Sequence, residues 1–279
     1  MLEIYKFESM TTPCELQLYC DSKEVADSCA VDIMKECKRL EQKYNYYSND
    51  SYLHRINSRQ SNTLDSETKS LLSISKQYYK KTNGLFDITI ATLKDIYQSN
   101  SIKQIKEEKT KLLEYTGCEH FSIKKNKINF TNEFTKIDFG GLVKEYSVDR
   151  AVKIIKKYKI KSALVNFGGD IYAHGRKPNN EKFNIGITNP IKKEEYLFNI
   201  SIENQALTTS ASYERNIKVQ DEVYSHIISK DKKSDILSAT VVSNSCVQSG
   251  VYSTALMCNS MLETKDDTYI IDENLEILR

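Results

Sequence analysis

Apolar residues at Val25, Cys29, Ile33, Cys37, Leu40 and Tyr44 recur every three to four positions. That is the period of one helix face, so the pattern predicts a helix over about residues 23–45 lying on a core. Leu71, Leu72, Ile74, Tyr78 and Tyr79 repeat it and predict a second helix over 66–82, stopped by Asn83-Gly84 as a C-terminal cap. Residues 95–115, rich in Lys, Glu and Ser, carry a weaker helical period and are expected to form a solvated helical insertion. A strand is predicted from Lys127 to Thr131, then a tight turn at Gly140-Gly141 and a helix from near Leu142 with Val148, Val152, Ile155 and Tyr158 inward. Residues 163–175 read as two strand pieces bent about a glycine pair, and further strands are expected at 184–188, 197–202 and 239–243. A helix over 247–258 and a closing hairpin over 268–278 complete the chain. With no internal repeat and three prolines, residues 1–279 are expected to form a single unit.

Composition narrows the function. A chain of 279 residues, 39% of them apolar, can bury a substantial core. Its net charge of +2 supplies no global field for nucleic acid or a membrane surface, and no basic-aromatic stripe suits single-stranded nucleic acid. No apolar run approaches the roughly 20 residues of a spanning helix, and the first residues lack the pattern of a secretory signal. The seven cysteines form no CxxC pair, which suits a reducing compartment and small buried hydrophobes. The expected location is the cytoplasm, with a trimmed exported form left open.

Three places can carry chemistry. Gly140-Gly141 precedes a helix, where exposed amides offer an anion site; Lys144 would add a charged donor, and Asp138 could accept from a base or sugar. A plain strand-to-helix turn explains the same glycines. Asn166-Phe-Gly-Gly-Asp170 removes side chains within a strand, which either a bulge or the close approach of a ligand would require. His226, among apolar neighbours, is either structural or a general base.

These signals occur in an order that resembles the ApbE family, the FAD:protein FMN transferases, from about residue 8 to 260. Met10-Thr-Thr-Pro13 resembles the family's opening M-G-T segment, and Tyr47 with Asp50-Ser-Tyr-Leu-His-Arg-Ile-Asn57 its aromatic and D-S…N block. Gly84-Leu-Phe-Asp87 looks like G-x-F-D, and Asn166-Phe-Gly-Gly-Asp170 like N-x-G-G-D. The most specific block is Asp138-Phe-Gly-Gly-Leu-Val-Lys144 with Val148-Asp-Arg-Ala151. Leu207-Thr-Thr-Ser210, Ser225-His-Ile-Ile228 and Ser253-Thr-Ala-Leu256 are similar to three later family segments.

The resemblance implies an α+β fold in which mixed or antiparallel sheets and packed helices enclose one FAD. It also implies Mg²⁺-dependent cleavage of that FAD, with FMN moved onto a Ser or Thr of an acceptor flavoprotein. Carried over by position, Met10, Tyr47, Leu85, Phe86, Asp87, Asp138, Lys144 and Ile228 would contact FAD, and His226 would be the catalytic base. The carbonyl of Gly141 and the side chains of Ser253 and Thr254 would face the metal. Where the family carries its principal metal Asp this chain has Gly250, where it has a Gly this chain has Glu145, and a D-P-x-T-G loop after His226 is absent. A carboxylate restored at position 250 is therefore expected to strengthen the response to Mg²⁺. The alternatives are a protein of the same fold that holds FAD with little or no catalysis, an FAD pyrophosphatase, and a flavin-dependent redox enzyme.

Overall fold

A computed structural model describes residues 1–98, 101–192, 194–212, 216–219, 222–225 and 236–278. Side chains that alternate between core and surface make Leu2–Ser9 (β1) and Thr12–Tyr19 (β2) an antiparallel hairpin, with Cys14, Leu16 and Leu18 turned inward. Its turn holds Met10 and Thr11 at positive φ, 52° and 56°. Next come the helices Lys23–Tyr44 (α1), Tyr52–Asn57 (α2), Ser66–Lys81 (α3) and Ile102–Leu112 (α4), then the small hairpin Phe121–Lys124 (β3) and Lys127–Phe130 (β4). Val143–Lys157 (α5) leads into Ser162–Phe167 (β5) and Asp170–His174 (β6); Phe183–Thr188 (β7) and Tyr196–Ile202 (β8) form a second hairpin. Gln205–Ala211 (β9), the short pair Asn216–Val219 (β10) and Glu222–Ser225 (β11), Ile236–Ser243 (β12), Cys246–Cys258 (α6) and Asp267–Asp272 (β13) follow.

One seven-stranded sheet in the order β1-β2-β5-β6-β9-β12-β13 organises these elements, and every neighbouring pair in it is antiparallel. On one face, Ala163, Val165 and Phe167 of β5 pack against Ile33 and Cys37 of α1 and Val148 and Val152 of α5. On the other, Ile171 and Leu207 meet Ile185 and Ile200 of the β7–β8 hairpin. A third cluster joins α3, α6 and the start of α5 through Leu71, Val251, Leu256, Phe139 and Leu142. The α+β class expected from the sequence is the one observed.

Cys29, Ile33, Cys37, Leu40 and Tyr44 of α1 are buried as the period requires. Val25 is not; it is 36% exposed on the first turn, and Ala26 and Ala30 take the inward positions. Helix α3 ends as expected: the N–H of Gly84 reaches the carbonyl of Tyr79 and that of Asn83 the carbonyl of Lys80, with Asn83 and Gly84 both left-handed.

Helices α1 and α3 are clamped where Glu67 accepts from Arg39 (2.9 and 2.7 Å) and from Lys43 (2.7 Å). Burial works to raise the Glu67 carboxyl, but the two cations outweigh it and bring it down to about 2 from 4.5. A depressed pKa stabilises the fold above the unfolded value and loses that contribution as pH falls, here between 4.5 and about 2. Glu67→Gln is expected to cost about 1 kcal/mol at neutral pH, allowing for solvent screening. Urea titrations from neutral to acid pH check this: the penalty should vanish toward the acid end.

Candidate active site

The segment before α5 is held by specific bonds, not by a sheet. Asn57 accepts from the N–H of Ile137 (2.9 Å) and donates to its carbonyl (2.8 Å), and the N–H of Asp138 donates to the carbonyl of Ile88 (2.9 Å). The carbonyl of Phe139 then accepts from both Leu142 and Val143 (2.8 Å each), and α5 starts without a side-chain cap. A side chain on Gly140 would sit 2.9 Å from Oδ2 of Asp138, so glycine leaves room for that carboxylate. Asp138 is buried and pairs with Lys94, whose ammonium lies 5.1 and 5.6 Å from the ring centres of Tyr46 and Tyr47.

Phe86 is buried and faces this turn, 3.7 Å from where a side chain on Gly141 would begin. Met10 and Leu85 pack on the same cluster as Phe86, and Tyr47 stands 73% exposed. The Oδ1 of Asp87 accepts from the N–H (2.9 Å) and the hydroxyl (2.5 Å) of Thr89 and caps the turn Ile88–Leu93.

Lys144, expected to reach a phosphate, forms an ion pair with Asp170 at 2.8 Å, and Asp170 is only 2% exposed. The glycines before Asp170 make a two-residue hairpin turn between β5 and β6, with φ of 61° and 90°. Asn166 closes the turn by accepting from Gly169 (2.9 Å). A side chain on Gly168 would come within 2.0 Å of the Thr12 methyl. At Gly168 the close approach is made by Thr12, while a side chain on Gly169 would meet nothing within 4 Å; the pairing of β5 with β6 runs up to the turn without a bulge.

Helix α6 crosses the first turns of α5. Asp149 of α5 accepts from the N–H groups of Cys246 (2.8 Å) and Val247 (3.2 Å), a cap supplied from a neighbouring helix. Burial holds its carboxyl above the usual range even against those two donors. Strand β9 lies along α6 with hydroxyls inward: Thr208 bonds Ser249 (3.1 Å), and Ser210 bonds Ser253 (2.9 Å) and Thr254 (3.3 Å). Ser253 is fully buried and also donates to the carbonyl of Gly250 (3.0 Å).

Glu145 projects from α5 into this contact. It is 5% exposed, and its Oε2 has no hydrogen-bond partner among the described residues. A Cβ on Gly250 would lie 2.4 Å from its Cγ and 3.1 Å from its Oε1. Burial, and after it the neighbouring Asp170, push the Glu145 carboxyl well above the ordinary range, with Lys144 opposing. His226 and Ile228 lie outside the described residues.

A family model for the ApbE family matches residues 10–272, nearly the whole chain. The chain belongs to the ApbE family. Its relatives include the FAD:protein FMN transferase of Vibrio cholerae, 25% identical over 256 residues, which cover 86% of this chain and 76% of that protein. The FAD:protein FMN transferase of Buchnera aphidicola subsp. Baizongia pistaciae is 28% identical over 209 residues; that match covers 70% of this chain and 61%, less than two thirds, of the relative. Among solved structures, the ApbE protein of Thermotoga maritima superposes with a TM-score of 0.87 at 22% identity, covering all of this chain and 97% of that one. Flavin transferase ApbE from Vibrio cholerae gives 0.79 at 19% identity, covering 98% and 94%. At these identities the superpositions establish the ApbE fold.

Within the ApbE blocks the structure divides the labour. Ser51 caps α2 by accepting from His54 (2.9 Å), Asn57 ties down Ile137, and Asn166 and Asp149 hold a turn and a helix start. Phe86, Asp138 and Gly141 come together at the start of α5, with Met10 and Leu85 packed behind them. Lys94 and Asp170, which pair with Asp138 and Lys144, were not singled out in their own right by the sequence. Asp170 does stand in the N-x-G-G-D block, and its motif position was the available signal.

Proposed function

We propose that this chain is an FAD:protein FMN transferase acting on an acceptor flavoprotein through a Ser or Thr of a flavinylation motif. The observation that carries the proposal is the convergence of Phe86, Asp138 and Gly141 at the start of α5, beside the hydroxyl-lined face of α6. The activity named for the relatives from Vibrio and Buchnera supports it.

In this proposal Tyr47, Leu85, Phe86 and Met10 supply apolar and aromatic surface to FAD, and Asp138 accepts from a ring or ribose donor. Asp87 and Ile228 complete the wall, Lys144 adds positive charge near the phosphates, and the first amides of α5 face them. His226 takes the proton of the acceptor hydroxyl as its oxygen bonds to the FMN phosphorus; the phosphoanhydride bond breaks and AMP leaves with the bonding pair. The oxygen donors at Gly141, Ser253 and Thr254, with a buried oxygen of Glu145 that has no hydrogen-bond partner among the described residues, suit a hard cation such as Mg²⁺. When bound, Mg²⁺ offsets the charge that builds on the pyrophosphate oxygens.

No helix among the described residues is long and apolar enough to cross a membrane. No disulfide joins the seven cysteines, which supports placing the protein in the reducing cytoplasm. Incubation with FAD and Mg²⁺, followed by chromatography, should show AMP release that chelation stops. Bound but intact FAD would favour instead a flavin-holding protein, the reading that Gly250 alone suggests.

A further inference from the structure

We propose that Glu145 of α5 supplies the carboxylate ligand of a divalent cation held between the start of α5 and α6, in the space that Gly250 leaves open. The inference deepens the transferase reading, whose cation it assigns to residues of this chain.

Three observations lead to it. First, Glu145 is an acidic side chain almost wholly out of water, with an oxygen that no donor among the described residues satisfies. A buried carboxylate without such a partner is held in place at a cost of several kcal/mol unless a proton or a cation compensates it. Lys144, the adjacent ammonium, is engaged by Asp170 at 2.8 Å.

Second, the space is shaped for this side chain. The Cγ and Cδ of Glu145 lie 2.4 and 3.0 Å from the Cβ that any other residue at 250 would carry. Glycine inside a helix costs about 1 kcal/mol relative to alanine, and Gly250 is buried in the middle of α6. Room for Glu145 is a physical reason for that glycine.

Third, further hard donors stand alongside. Thr254 follows Gly250 by four residues, so both lie on one face of α6, separated by about 5–6 Å. Gly141 lies in the turn that leads into α5, two residues before its first residue Val143, and Glu145 stands in the first turn of that helix. Carboxylate, hydroxyl and carbonyl oxygens are the donor set of Mg²⁺ or Mn²⁺, not of a soft metal.

The test is a titration of the full chain with Mn²⁺ alone, free ion being read by electron paramagnetic resonance, without FAD or acceptor. Glu145→Gln keeps the shape and removes the charge; it should weaken Mn²⁺ binding about ten-fold or more while the thermal midpoint holds or rises. Binding by that variant equal to the wild type, or no binding by the wild type, would overturn the assignment. Should Glu145→Gln fail to fold, the double change Glu145→Ala with Gly250→Asp decides, because it moves the carboxylate to α6. Mn²⁺ retained there supports a shared carboxylate position, and its loss in the folded double variant overturns it. Because the readout is metal alone, Mn²⁺ bound through Glu145 with FAD left intact would remove the transferase reading and keep this one.

Discussion

Gly250→Asp alone should destabilise the protein by about 3 kcal/mol or more, the sum of overpacking and of a second buried carboxylate. For a chain of this size the thermal midpoint should fall by roughly 6 °C or more. From the sequence, a carboxylate at 250 is expected to improve the metal response. The structure changes that expectation, because the new Cβ would begin 2.4 Å from Cγ of Glu145, an atom in the middle of a buried side chain that has little freedom to retreat. The damage should be relieved by Glu145→Ala, so the two substitutions are strongly non-additive. A double-mutant cycle by thermal denaturation checks this. Additive losses would mean that the two side chains do not share the space.

Lys144→Met should cost about 3 kcal/mol of stability in addition to weakening FAD binding, since it leaves Asp170 as a buried charge without its cation. Asp170 is 2% exposed and 2.8 Å from the ammonium, so no water takes over the role of Lys144 easily. Adding Asp170→Asn should return much of the lost stability without returning the affinity for FAD. Denaturant unfolding and quenching of flavin fluorescence, measured on the same variants, separate the two effects. A Lys144→Met protein as stable as the parent would mean that this lysine serves a ligand and nothing else.

Local periodicity carried most of the helical scaffold. Cys29, Ile33, Cys37, Leu40 and Tyr44 repeat at helical spacing because a single face of α1 is buried, the first three against the sheet and the last two in the cluster shared with α3 and α6. Val25 failed because its neighbour Ala26, on the same first turn, takes the inward position, as Ala30 does one turn on. The hairpin β1–β2 was passed over although Cys14, Leu16 and Leu18 alternate cleanly; polar residues between them weaken the signal of a half-buried strand. Strand β9 was harder to see, because its inward residues Thr208 and Ser210 are hydroxyls satisfied by α6, a pattern that reads as a loop.

The site was legible as blocks of residues and not as pairs. Asp138 and Gly141 stand in one motif and Phe86 in another, and the fold brings the two together. Lys144 with Asp170, Asp138 with Lys94, and Glu145 with Gly250 are partnerships across 26, 44 and 105 positions, by subtraction of their residue numbers. No local pattern specifies such pairs. Gly250 and Glu145 appeared in the sequence as two unrelated departures from the family's pattern, and in the structure they occupy one space.

The most direct test of the transferase proposal is to incubate the protein with FAD, Mg²⁺ and an acceptor carrying a flavinylation motif, then weigh the intact acceptor and quantify AMP. The account predicts an acceptor heavier by one FMN, with one AMP released for each, and no gain in mass when the motif's Ser or Thr is replaced by Ala. An acceptor of unchanged mass, with FAD recovered whole and no AMP, would contradict it.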